Sequence, residues 1–240
     1  MQTSPSRRRP HAIRPTPRRA DLRLRPALPP ASPLFPEENW ANDPNGLAFY
    51  QGEYHLFFQY NPFGNQWGHM SWGHAVSTDL LHWHELPVAI PEHDNTMIFT
   101  GSVVVDHQNT SGLCTHGDCL VAIYTGHTQT SEGIRQTQNL AVSLDKGRNW
   151  AQYPGNPVLD LHMADFRDPS VSWDPIAHHW VMAVSLPKEH KIRFYSSPTS
   201  SCGHSSATSA QPATSTATGS VPTSSASPPP TAPRASGPSK

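Results

Sequence analysis

From residue 37 to residue 198 the apolar residues come in short runs, broken by Gly, Pro, Asn and Asp, with no sustained three- to four-residue period. This is the signature of strands and tight turns. Residues 47–50 and 54–60 are aromatic-rich runs around Gln51-Gly52-Glu53, which predicts a hairpin. Further strands are expected over 98–105, 120–125, 139–143, 170–173, 180–186 and 191–195. No stretch offers a capped amphipathic helix longer than a turn or two.

Two internal echoes organise these strands. Ala75-Val76-Ser77, then Asp79, then Trp83 recurs as Ala141-Val142-Ser143, then Asp145, then Trp150. Asp43-Pro44 ahead of the hairpin 47–60 recurs as Asp168-Pro169 ahead of a second hairpin, 171–186. The second offset is roughly twice the first, so a unit of about 60–65 residues repeats, which suits propeller blades of four strands. In the first echo the turn needs a polar residue that bonds its own backbone, and the Trp is expected between sheets. The span holds about two and a half such blades, whereas a closed propeller needs at least four. The fold class expected is therefore all-β, a partial propeller with unpaired edges.

Composition divides the chain into three. Residues 1–36 carry eight Arg, nine Pro and a single acid, Asp21, and read as a disordered basic arm. Anion binding and transit function are weaker readings, and no apolar core of a secretory signal is visible. Residues 199–240 are 33 of 42 Ser, Thr, Pro or Ala with no acid, a low-complexity tail or an O-glycosylated stalk. The change after Pro198 is as abrupt as a shift of reading frame. All seven Trp and all six Tyr lie in the middle segment, which carries seven Lys+Arg against 17 Asp+Glu, net −10. That acidity argues against a nucleic-acid enzyme. The apolar runs fall far short of the ~18–20 residues that span a bilayer.

Cys114 and Cys119 flank a turn-like Thr-His-Gly-Asp, which allows a small disulfide loop in an exported protein or, with His116, a weak zinc reading; Cys202 has no partner. Asn109-Thr110-Ser111 is a glycosylation sequon on an expected surface loop.

The candidate chemistry lies in the carboxylates. Asn42-Asp43-Pro44-Asn45-Gly46 reads as a turn cluster just before the first strand, and Phe166-Arg167-Asp168-Pro169 repeats it two blades on. If the echo is structural, Asp43 and Asp168 face one axial site. Arg167 would then hold sugar hydroxyls, unless it makes a surface ion pair. Trp40, Phe58, Trp67 and Trp72 suit either stacking on sugar faces or core packing, core first for most. Two carboxylates among aromatics and the amides of Asn42, Asn45, Gln59 and Asn65 fit glycosidic bond cleavage. There is no phosphate-binding Gly loop and no Ser nucleophile elbow. His178-His179 is expected in a solvated hairpin turn.

Residues 37–198 resemble the N-terminal part of glycoside hydrolase family 32, the invertases, inulinases and levanases. Asn39-Trp40-Ala41-Asn42-Asp43-Pro44-Asn45-Gly46 is similar to the family's N-W-M-N-D-P-N-G block, with Ala41 where Met is usual. Phe57-Phe58-Gln59-Tyr60-Asn61-Pro62, the block from Trp67 to His74, Met97-Ile98-Phe99-Thr100-Gly101-Ser102 and Arg167-Asp168-Pro169 match further blocks. The resemblance implies a five-bladed propeller with a β-sandwich, an extracellular enzyme, no cofactor and no metal. It implies retaining hydrolysis of terminal β-fructofuranosyl units in sucrose or fructan. By motif, Asp43 is the nucleophile and Asp168 the transition-state stabiliser, with Arg167 fixing it. Asn42, Gln59, Trp67, Phe99 and Thr100 line the fructosyl pocket. The family's acid/base Glu stands in a Glu-Cys pair, and no such pair occurs in this sequence. Little hydrolysis is therefore expected of the chain as written; fructosyl transfer and fructan binding without turnover are the alternatives.

Overall fold

The structure is a computed structural model that describes Pro36 and residues 38–198 except His116. The expectations for the basic arm, the Ser/Thr/Pro tail, His116 and Cys202 fall outside the described residues. Within them, strands and turns dominate, with one 3-10 turn at Pro187–Glu189. The first sheet is antiparallel, in the order β1 (Trp40–Tyr50), β2 (Glu53–Asn61), β3 (Ser71–Ser77), β4 (His84–Ile90). The second runs β5 (Thr96–Asp106), β6 (Cys119–Thr130), β7 (Gly133–Ser143), β8 (Ala151–Gln152), and β9 (Leu159–Met163) also pairs with β7. The third is β10 (Arg167–Asp174), β11 (His179–Leu186), β12 (Lys191–Ser197). The first strands of the sheets lie side by side, β1 against β5 and β5 against β10. This is a partial, unclosed propeller: one blade of four strands, one of five, and three strands of another.

The core sits between blades. Phe57, Trp72 and Ile90 of the first blade meet Ile98, Leu120, Tyr124 and Ala141 of the second. On the other face, Val121, Ile123 and Leu140 meet Val171 and Trp180 of the third. Strand β6 thus sends alternate residues to two different interfaces, as a period of two demands. That is why 120–124 is an unbroken apolar run. Trp72 and Phe57 are fully buried, and truncating such a ring to Ala costs about 3–5 kcal/mol.

The Ser-Asp echo is a turn device. Ser77 Oγ accepts the backbone N–H of Leu80 at 2.8 Å and Ser143 Oγ that of Gly147 at 2.8 Å. Asp79 and Asp145 each accept a further backbone N–H of their own turn. Trp83 and Trp150 close the turns by donating to the carbonyls of Leu80 and Gly147. The expected packing between sheets holds for Trp150, which meets Phe57 edge-on at 5.5 Å. Trp83 is only half-buried and belongs to no core cluster among the described residues.

Several expectations need correction. Strands β4, β8 and β9 were not among the predicted runs, and of β3 only residues 75–77 were visible, through the first echo. The cluster 42–46 is not a turn before the first strand: it lies inside β1, at two register shifts. The zinc reading of Cys114 and Cys119 gives way to a disulfide between them, Cα atoms 5.4 Å apart. Asn109 is exposed as expected, and His178 is exposed in the hairpin turn, but His179 is not in that turn: it begins β11 and is half-buried.

Candidate active site

Both Asp-Pro motifs use the same local device on an innermost strand. In β1 the pairing with β2 shifts between Asn42 and Pro44 and again between Asn45 and Ala48. Asp43 lies at the first shift with φ 38°, in the left-handed region that short polar side chains tolerate best. The Asn45 amide donates to the Asp43 carbonyl at 3.1 Å, and Trp40 Nε1 donates to Asn42 Oδ1 at 2.7 Å. Gly46 completes the bulge: a Cβ there would stand 2.8 Å from the Phe57 ring and 2.9 Å from Val103. In β10 the pairing with β11 shifts between Arg167 and Ser170, and Asp168 has φ 62°. Two strained bulges at corresponding places mark a functional constraint.

A cavity of about 360 Å³ opens between them, lined by Asp43, Thr100 and Asp168, by their neighbours on the three inner strands and by Leu56 of β2. Thr100 Oγ1 donates to Asp43 Oδ2 at 3.4 Å. Thr100 is turned there by a register shift between Phe99 and Gly101, where β5 lies so close on β6 that a Cβ at Gly101 would be 2.0 Å from the Ile123 carbonyl oxygen. The Val171 N–H donates to Ser102 Oγ at 3.0 Å and ties β10 to β5.

Asp168 is held differently from Asp43. Burial pushes its carboxyl up to about 6; the Arg167 guanidinium opposes this, and the negative charge of Asp43 adds to it. Arg167 compensates weakly because it is engaged elsewhere: its Nη1 donates to Asp165 Oδ1 at 2.5 Å, while Nε stays 3.8 Å from Asp168 Oδ2. Lys188 and Arg167 together hold the Asp165 carboxyl below the usual carboxylate range.

Below Asp168 runs a buried network that the sequence reading missed. The Asp168 N–H donates to Thr125 Oγ1 at 3.1 Å, and Thr125 donates to Gln138 Oε1 at 3.0 Å. Gln138 Nε2 donates to the Phe166 carbonyl at 2.8 Å, and the Phe166 N–H donates to Gln136 Oε1 at 2.8 Å. The Gln136 amide meets His127 Nδ1 at 3.0 Å. Thr125, Gln136 and Gln138 are all buried, so these bonds have no water to replace them. The available signal was the polar run 135–139 running straight into the apolar residues 140–142 of one strand, since amides on the covered face of a sheet must bind something.

The remaining predicted site residues divide. Asp43, Thr100 and Asp168 meet at the cavity, with Arg167 beside Asp168. Gln59 is buried and donates to the Ile98 carbonyl at 2.9 Å, stitching the first blade to the second. Asn42 serves Trp40, as above. Trp67 is 55 % exposed and meets Phe99 edge-on at 6.2 Å, and Phe99 stacks on His127 at 4.3 Å. Of the four aromatics weighed for stacking, Trp72 and Phe58 are core, whereas Trp40 and Trp67 remain exposed.

The profile of the glycosyl hydrolases family 32 N-terminal domain matches residues 34–215. A levanase of Bacillus subtilis is 54% identical over 152 residues, covering 62% of this chain and 22% of its own length. An extracellular exo-inulinase of Aspergillus niger is 43% identical over 185 residues, covering 68% of this chain and 34% of its own length. Among solved structures, the exo-inulinase of Aspergillus awamori superposes with a TM-score of 0.65 at 41% identity, over 70% of this chain and 37% of that one. The β-fructofuranosidase of Schwanniomyces occidentalis complexed with fructosyl-erythritol gives 0.65 at 44% identity, over 70% and 33%. The chain spans between about a fifth and a third of the length of these curated relatives. With two Asp-Pro bulges opening on one cavity inside a partial propeller, the chain belongs to glycoside hydrolase family 32.

Proposed function

We propose that Asp43 and Asp168 act on a terminal β-fructofuranosyl unit of sucrose or a fructan. Asp43 is exposed at the cavity and free to attack the anomeric carbon, C2. Its carboxylate forms a bond to C2 as the C2–O bond to the leaving group breaks, and water then displaces Asp43 with net retention. Asp168 accepts hydrogen bonds from fructosyl hydroxyls, with the Arg167 guanidinium beside it partly offsetting the cost of its burial. No Glu lines the cavity among the described residues, so a sugar alkoxide leaves without a proton donor. General acid–base catalysis contributes about 10²–10⁴-fold. Sucrose should therefore turn over slowly on the chain alone, which also leaves binding without turnover as a second reading. An extracellular location is supported by the Cys114–Cys119 disulfide and by the extracellular exo-inulinases it resembles.

The observation that carries the proposal is the shared cavity of two left-handed Asp-Pro bulges. The test is β-fructofuranosyl fluoride, whose leaving group needs no proton. Peptide mass mapping should find one fructosyl unit on Asp43, and none in Asp43→Ala. A chain left unmodified, or modified elsewhere, would refute the assignment.

A further inference from the structure

The second blade has two polar faces, and the cavity explains only one. In the β6–β7 pair, Thr125 stands opposite Gln138 and His127 opposite Gln136; these face the third blade and support Asp168. The residues between them face the other way. Tyr124 is opposite Asn139, Gly126 opposite Thr137 and Thr128 opposite Arg135, and Thr96 of β5 joins them through a 2.8 Å hydroxyl contact to Thr128. The period of two makes this alternation obligatory. Strand propensity alone would be served by apolar residues here.

This second face floors a cleft of about 480 Å³, walled by residues 93–94 on one side and 152–157 on the other. Its polar groups are only partly used. Tyr124 is 1 % exposed, and its hydroxyl has no hydrogen-bond partner among the described residues. The Asn139 amide donates both to the Thr137 carbonyl and to Thr137 Oγ1, leaving its own oxygen free to accept. Gly126 keeps the floor open: a Cβ there would come within 2.6 Å of the Asn139 amide nitrogen. The wall is rigid, because the Asn156 side chain is spent on both backbone groups of Leu140. At the edge, Arg135 is neutralised by a direct ion pair with Asp160, while its Nε is buried without a partner. A neutralised arginine argues against an anionic ligand. Hydroxyls, an amide and an unpaired tyrosine argue for a neutral, hydroxyl-rich one.

We infer that this cleft is a second carbohydrate site, on the opposite face of the blade from Asp168, which takes a fructan segment away from its reacting end. The choice of fructan rests on the function proposed above; the site itself rests on the cleft.

The test uses the full 240-residue chain, ¹⁵N-labelled, titrated with inulin-type oligofructosides and, in parallel, with maltooligosaccharides. Two sets of amide signals should move with oligofructosides, one around Asp43 and Asp168 and one around Thr128, Thr137 and Asn139. Tyr124→Phe removes the hydroxyl but keeps the ring, and Thr137→Val keeps the shape; each should weaken the cleft set by about 3- to 10-fold and leave the cavity set alone. Movement confined to the cavity set, or a cleft set indifferent to both variants, overturns the second site and leaves the proposed function standing. Movement of the cleft set alone overturns the proposed function and keeps the site. Equal response to maltooligosaccharides overturns the assignment to fructan. Movement of neither set overturns both.

Discussion

The bulges that carry Asp43 and Asp168 share a Pro, a left-handed backbone and a register shift within a strand, yet their surroundings differ. Around Asp43 the structure is sparse: the side chain is exposed, and among the described residues its carboxyl accepts a single long hydrogen bond, from Thr100 at 3.4 Å. Around Asp168 it is dense: backbone on both sides of Arg167 is bonded to Thr125, Gln138 and Gln136, all buried. In the roles proposed for the two residues, Asp43 must reach C2 and leave it again, so few bonds should compete for its oxygens. A stabiliser gains by staying where the transition state needs it. The motif is the same; the second blade beneath it makes the difference.

The comparison breaks most visibly if the two carboxylates are interchangeable. Asp43→Ala should reduce fructosyl transfer from the fluoride by about 10⁴-fold or more, because the bond-forming atom is gone. Mass spectrometry over a time course measures it, and a loss under tenfold would contradict the assignment. Next is Gln138→Leu, which strands the Phe166 carbonyl and the Thr125 hydroxyl in a dry interior. A loss of about 1–3 kcal/mol in denaturant unfolding is expected, with no comparable loss for Asn42→Leu on the Asp43 side.

A smaller effect is set by protonation. The Asp168 carboxyl holds its proton to about pH 6 in the folded chain, but an unfolded aspartate does so only to about 4. Between those values the folded state binds more proton, so stability falls as pH rises, and the penalty is complete above the window. Asp168→Asn should therefore raise Tm at pH 7.5 by about 2–5 °C and leave it unchanged at pH 3.5. Differential scanning calorimetry at the two pH values decides, and equal shifts at both would dismiss burial as the cause. Smallest of all, Thr100→Val should cost about 0.5 kcal/mol or less, since the bond it removes is long and beside an exposed carboxylate. A large loss in denaturant unfolding would mean the Asp43 turn is as firmly held as its counterpart.

The sequence displayed the strands that are apolar, the hairpins around Gly, and the Asp-Pro echo, because each of these is a local pattern. It hid what depends on the neighbouring blade. Strand β3 carries Gly73 and His74, yet every residue in it is buried; His74 meets His55 at 3.1 Å, and burial holds His55 down to about 4 and His74 to about 3. Polar residues in such a strand contradict the simple alternation, and only the packed partner accounts for them. The same holds at the site. Asp43, Thr100 and Asp168 were legible because their motifs are rigid blocks. Thr125, Gln136 and Gln138 were not, because a Thr or Gln in a strand says nothing of the turn it supports from a distant segment. Gln59 shows the converse: a residue in a family block that in the structure joins two blades and does not line the cavity.

The account stands on one geometrical claim, that the two aspartates share a single hollow and feel each other's charge. The direct measurement is the ¹³C-carboxyl NMR titration of Asp168 in the unaltered chain and in Asp43→Asn. The account predicts a midpoint near pH 6 that moves down once the neighbouring charge is removed; a midpoint that does not move would place the two carboxylates apart and contradict it.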